Sequence, residues 1–152
     1  MNDAVPSTGN LYLIVGYDGS DPAVRALNTA VSLLRGREGS IEVVYAAHLT
    51  SADMLSADAV AEVEESFGEI AEDLHKQAAD QLRGHEDRWT FGSAQGVIPD
   101  VLVGAANQTR DAHPSDNVAI VVGSSSQARH RLVGSVAVSL ARHAPVPLLI
   151  VP

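Results

Sequence analysis

Two short polar stretches hold the residues able to do chemistry. The first is Gly16-Tyr17-Asp18-Gly19-Ser20, where the apolar run Leu11–Val15 breaks off. The second starts at Val122-Gly123, at the end of the apolar run Val118–Val122. It passes through Ser124, Ser125 and Ser126 and a basic stretch, Arg129-His130-Arg131, and ends at Gly134-Ser135-Val136, where helical spacing of apolar residues resumes. A strand that feeds a glycine-bounded loop and then a helix N-terminus presents backbone N–H groups and a positive dipole end to an anion. The expected chemistry is the holding of a nucleotide's phosphates. The two stretches divide the labour. Asp18 repels phosphate and suits the donor-rich edge of a ribose or a base. The second loop carries no acid and two arginines with a histidine, so it suits the phosphates. Plainer readings stand beside these: Asp18-Gly19-Ser20 as a turn and helix cap, the three serines as loop residues, and the basic stretch as a solvated loop. Joint placement around one crevice favours the ligand.

The elements that must position them alternate. Leu11–Val15, Ile41–Ala47, Arg88–Phe91, Val118–Val122 and Pro147–Val151 read as strands. Between them, Ser20 caps a helix with Asp21-Pro22 in its first turn and Val24, Leu27, Val31 and Leu34 on one face, through to Arg35–Gly36. Ser56–Leu82 is a long helix with Val60, Val63, Phe67, Ile70, Leu74 and Ala78 facing inward. Its Glu62, Glu65, Glu69, Glu72 and Asp73 form a solvated side. Gly96-Val97-Ile98-Pro99 turns into a helix bearing Val101, Leu102, Ala105 and Ala106 that ends near Arg110, and Gly134–His143 is the last helix, stopped before Pro145. Such alternation means right-handed crossovers and an α/β fold: an open five-stranded parallel sheet with helices on both faces. In the order 3-2-1-4-5 the first and fourth strands are neighbours, and both polar loops overlook the switch point where ligands of such sheets bind.

Composition supports this and closes other routes. The 152 residues make one domain, 45% hydrophobic and 19% charged; aromatics are 4%, so Val, Leu, Ile and Ala must build the core. No apolar run approaches the ~18 residues of a membrane span. A net charge of −9 argues against nucleic acid and anionic membranes as partners. The absence of cysteine excludes disulfides and thiolate chemistry, and no two of the six histidines are spaced i, i+4, so no metal site is expected. Lys76 is the only lysine and no G-K-[S/T] occurs, which removes a Walker A loop. Residues 1–10 read as a flexible tail without the features of a signal peptide, and a cytoplasmic location is expected.

VGYDGS after the first strand, the Gly96–Pro99 turn, VVGSSS, and the closing LVGSVAVSLARHAPVPLLIVP together resemble the universal stress protein family. The resemblance runs from about Leu11 to Pro152 and implies one adenine-nucleotide alpha-hydrolase-like domain over residues 11–152. It also implies a site for ATP or another adenine nucleotide, with or without magnesium, and a role as a stress-response regulator. By the same resemblance Asp18 lies near base and ribose, and Ala46 lines the adenine pocket. Val122 and Gly123 open the phosphate loop, and Gly134, Ser135 and Val136 close it. Homodimers paired through the last strand, residues 147–151, are implied as well.

The nucleotide-binding branch has the pattern G-x2-G-x9-G-[S/T]. Here Ser126 replaces the second glycine, and seven residues instead of nine separate it from Gly134. Serine enters φ > 0 less cheaply than glycine, and a shorter loop covers less of a triphosphate. Arg129 or Arg131 would compensate electrostatically. No nucleophile–base pair is evident, so binding rather than catalysis is expected, with no residue assigned to any slow ATP hydrolysis. The alternative is a dimeric, partner-binding stress protein with a vestigial site. Gly123→Val is expected to reduce nucleotide affinity without unfolding the chain, and Asp18→Ala to weaken discrimination at the ribose–adenine end.

Overall fold

Strand residues alternate between two cores, and that alternation sets the layers. A computed structural model of the chain describes residues 9–48, 55–124 and 134–152. The elements run β1 (Leu11–Gly16), α1 (Asp21–Leu33), β2 (Gly39–Ala47), α2 (Ala57–Gln81), β3 (Trp89–Gln95), α3 (Ile98–Ala112), β4 (Asn117–Gly123), α4 (Ser135–His143) and β5 (Leu148–Val151). All pairings are parallel, as the alternation predicts, and the order is β3-β2-β1-β4-β5, the order expected for adjacent first and fourth strands. Leu13, Val15, Ile41, Val43 and Val121 pack under α1 and α2 on one face. Ile14, Val44, Val118, Ile120 and Val122 pack under α3 and α4 on the other. This period-2 division is why the strands read as continuous apolar runs.

Local chemistry fixes the helix starts. Ser20 accepts from the Ala23 N–H at 3.4 Å, and Ser56 accepts from the Ala59 N–H at 3.2 Å. Beyond shifts of one or two residues at element ends, the elements differ from the sequence reading in three respects. β3 continues past Phe91 to Gln95, because its backbone keeps register with β2 as far as Ala47↔Gln95 although Gly92, Ser93 and Ala94 carry little apolar surface. α1 ends at Leu33, and the chain reverses through Gly36 in a left-handed conformation, φ +70°. On α2, Ala71, Leu74 and Ala78 are buried while Ile70 is 48% exposed. The inward stripe therefore passes through Ala71 and not through Ile70. Of the segment read as a tail, Gly9 and Asn10 are tied to the sheet: the Asn10 N–H donates to Asp116 Oδ1 and its carbonyl accepts from the Asn117 N–H. Residues 1–8 lie outside the described part.

One charged residue stands within the described strands. Glu42, in β2, lies on the face that otherwise buries Val44, and its nearest polar partner is the Thr109 hydroxyl at 3.5 Å. Burial raises its pKa, an effect the Thr109 contact opposes. A carboxyl raised in the folded state favours folding below its unfolded value and loses that contribution as pH rises through the folded value. Ionised Glu42 thus costs stability at neutral pH. Glu42→Gln is expected to melt higher than the parent at pH 7. The gap should close as the pH falls through the carboxylate range; a gap independent of pH contradicts the assignment.

Candidate functional site

A cleft of about 550 Å³ opens among the described residues at the carboxyl ends of β1, β2 and β4. It stands at the point where the strand order turns from β1 back toward β2 and outward to β4. Its floor is apolar. Val44 and Ala46 project from alternate positions of β2, Ile98 and Leu102 from one face of α3, and Val122 from β4. Its rim is polar: Asp18 and Ser20 stand on one side, Gly134 and Ser135 on the other.

The rim at Asp18 is built by a tight turn. Gly19 takes φ +78°, a left-handed conformation that a side chain would strain. Asp18 Oδ1 accepts from the Ser20 N–H at 3.0 Å, which orients the exposed carboxylate on the cleft rim. Tyr17, buried beneath, donates its hydroxyl to Gln81 Oε1 at 3.4 Å, and the Gln81 amide in turn donates to the Val24 carbonyl at 2.8 Å. Burial, and secondarily the Asp18 charge, pushes the Tyr17 phenol further above its ordinary value, so it is neutral at any physiological pH.

The opposite rim is the start of α4. Its N-cap is Gly134, and no side chain caps it, unlike α1 and α2 with their serines. Among the described residues, the first-turn N–H groups of Ser135, Val136 and Ala137 have no side-chain acceptor, and they border the cleft. A single phosphate or carboxylate suits that position.

Seven residues singled out in the sequence thus come together around one cavity: Asp18, Ala46, Val122, Gly123, Gly134, Ser135 and Val136. Ser126, Arg129 and Arg131 lie outside the described residues. The sequence reading did not assign Pro22, Ala23, Val44, Ile98, Leu102 or Ala137 to the site. The signal was present: Val44 stands two positions before Ala46 on the same strand face, and Ile98 and Leu102 are i, i+4 on one helix. Among the described lining residues there is no lysine, arginine or histidine.

Gly123 needs a correction. A Cβ there would run into the carbonyl and carbon of Pro22, in the first turn of α1. The glycine permits close packing of β4 against α1, so Gly123→Val must disturb the fold and is no clean test of ligand binding.

The family model described as "Universal stress protein family" matches residues 12–152. Among solved structures, the universal stress protein UspA from Lactobacillus plantarum is similar at 21% identity and a TM-score of 0.78, over 96% of this chain and 100% of that one. A universal stress protein in complex with cAMP shares 24% identity at a TM-score of 0.60, covering 95% and 99%. A universal stress protein family protein from Arabidopsis thaliana with AMP bound shares 13% at 0.59, covering 93% and 90%. No curated protein matches the chain. These structures share the fold; the matched span, nearly the whole chain, shows the family. The chain belongs to the universal stress protein family.

Proposed function

We propose that the cleft binds an adenine nucleotide and that the protein acts as a nucleotide-responsive stress regulator, not a metabolic enzyme. The uncapped start of α4 facing an apolar slot across from Asp18 carries this reading. The residues present fit such a ligand. The slot between Val44, Ala46, Ile98 and Leu102 accepts a flat base, Asp18 offers an acceptor to hydroxyl or amino donors, and the α4 N–H groups meet a phosphate. The cAMP and AMP held by structural neighbours support the same ligand class. Among the described lining residues the ionisable side chains are Tyr17 and Asp18 alone, which makes no nucleophile–base pair and favours binding over turnover.

ATP is the nucleotide proposed, and it makes a demand that AMP does not. The α4 start seats one phosphate, and the further charge of ATP needs cations that the described lining lacks. Arg129 and Arg131, between Ser124 and Gly134 in sequence, are the residues to supply them. The variant with both arginines changed to alanine is expected to lose about tenfold or more in ATP affinity, while AMP affinity changes less than threefold, by the strength of charge-assisted contacts. Equal losses for both nucleotides contradict the assignment of these arginines.

The chain is further proposed to form homodimers through β5. That strand pairs with β4 on one side, and Leu149 on it remains 37% exposed. Leu149→Arg is expected to convert a dimer to a monomer by light scattering; an unchanged mass contradicts the β5 interface.

A further inference from the structure

A second cavity, about 260 Å³, lies at the amino ends of the strands, the opposite end of the sheet from the nucleotide cleft. It is lined by Ser40 and Glu42 of β2, Thr90 of β3, Gln108 and Thr109 near the end of α3, and the stacked pair Tyr12 and His113, whose ring centroids are 4.0 Å apart. Most of these side chains offer hydrogen-bond acceptors. Two features give the space one electrostatic sign. Glu42 projects into it with no salt-bridge partner among the described residues. The C-terminal end of α3 (Ile98–Ala112), with its outward carbonyls, forms the wall above.

The arginines close to this end are engaged elsewhere. Arg88 donates to the Arg37 carbonyl at 2.6 Å and to the Gly39 carbonyl at 3.1 Å. Arg110 donates to Asn107 Oδ1 at 3.0 Å and to the Pro145 carbonyl at 3.3 Å. The lining's one imidazole, His113, is drawn toward Asp116, 3.6 Å away. Among the described residues, the half-buried Glu42 carboxylate has the long Thr109 hydroxyl contact against it and no cation, which leaves most of its burial cost unmet.

We propose that this cavity binds a small organic cation bearing N–H donors, a guanidinium or a primary ammonium, with Glu42 as its counter-ion. Size and donor set exclude other classes. The cavity lies below the ~300–1,000 Å³ typical of sites for drug-sized ligands, which favours a ligand smaller than a nucleotide. Among the described residues no group of three His, Cys, Asp or Glu is placed to hold a metal ion. A guanidinium or ammonium instead places one N–H on Glu42 and others on Thr109, Gln108 or Ser40. The inference does not depend on the nucleotide reading, since no residue lines both cavities.

The test is titration of the full chain with methylguanidinium and with propylammonium, followed by amide chemical shifts. Tetramethylammonium and sodium at equal ionic strength are the controls. At least one of the two N–H-bearing cations is expected to give saturable shifts centred on Glu42, Thr90, Thr109 and His113. Glu42→Gln, near-isosteric and expected to fold, should weaken that binding about tenfold or more. Thr109→Val should weaken it less. Shifts that never saturate, that match those of tetramethylammonium, or that persist unchanged in Glu42→Gln overturn the proposal.

Discussion

Gly123→Val is expected to lower the melting temperature by roughly 6–12 °C, a structural effect and not a ligand effect. The reason is the partner. A side chain at this position meets the backbone of Pro22, which cannot rotate away as the tip of a flexible side chain can. Pro22 sits in the first turn of α1, and α1 packs on β4 through Ala23, Ala26 and Leu27. Relieving the overlap means shifting that helix against a buried strand, and overpacking of this kind costs about 3 kcal/mol. For a domain of this length each kcal/mol moves the midpoint by about 2–4 °C. Thermal unfolding followed by circular dichroism checks it. A midpoint within 2 °C of the parent, by the same scaling, would show that β4 and α1 are not in contact at Gly123.

Ala46→Phe is expected to abolish most nucleotide affinity while leaving the fold intact. Ala46 lies near the end of β2, half-buried, with its small side chain on the cleft wall beside Val44. A phenyl ring there occupies the slot assigned to the base, so the loss should be at least about a hundredfold in Kd. The enlargement projects into open cleft instead of packed core, and an aromatic residue suits a strand. The melting point should therefore stay within about 3 °C of the parent, in contrast to Gly123→Val. Retained affinity in a folded Ala46→Phe variant would remove Ala46 and the apolar slot from the site.

The layer structure was legible in the sequence because it rests on continuous apolar runs. Leu13–Val15 and Ile120–Val122 are buried on both sides, and the runs that contain them admit no other reading once helices separate them. β3 was only partly legible. Its second half, Gly92-Ser93-Ala94-Gln95, is held by backbone pairing to β2, which side-chain types do not announce. The polar rim was visible for a similar reason: Asp18, Gly134 and Ser135 interrupt apolar patterns, and interruptions draw the eye. The floor was not, because Val44, Ile98 and Leu102 look like any core residue until the topology places them along the cleft. Gly123 carries a second requirement. Its place in a phosphate-type motif suggested a ligand, and it does line the cleft, but the packing of Pro22 also demands a glycine there, which residue types alone do not announce.

The most direct test of the cleft assignment is calorimetric titration of the purified full chain with AMP, cyclic AMP and ATP, with Ala46→Phe titrated alongside. The account predicts one-site binding of at least one of the three to the parent chain, lost in the folded variant. Absence of heat and of competition for all three in a folded parent chain would contradict it and leave the cleft to a ligand of another class.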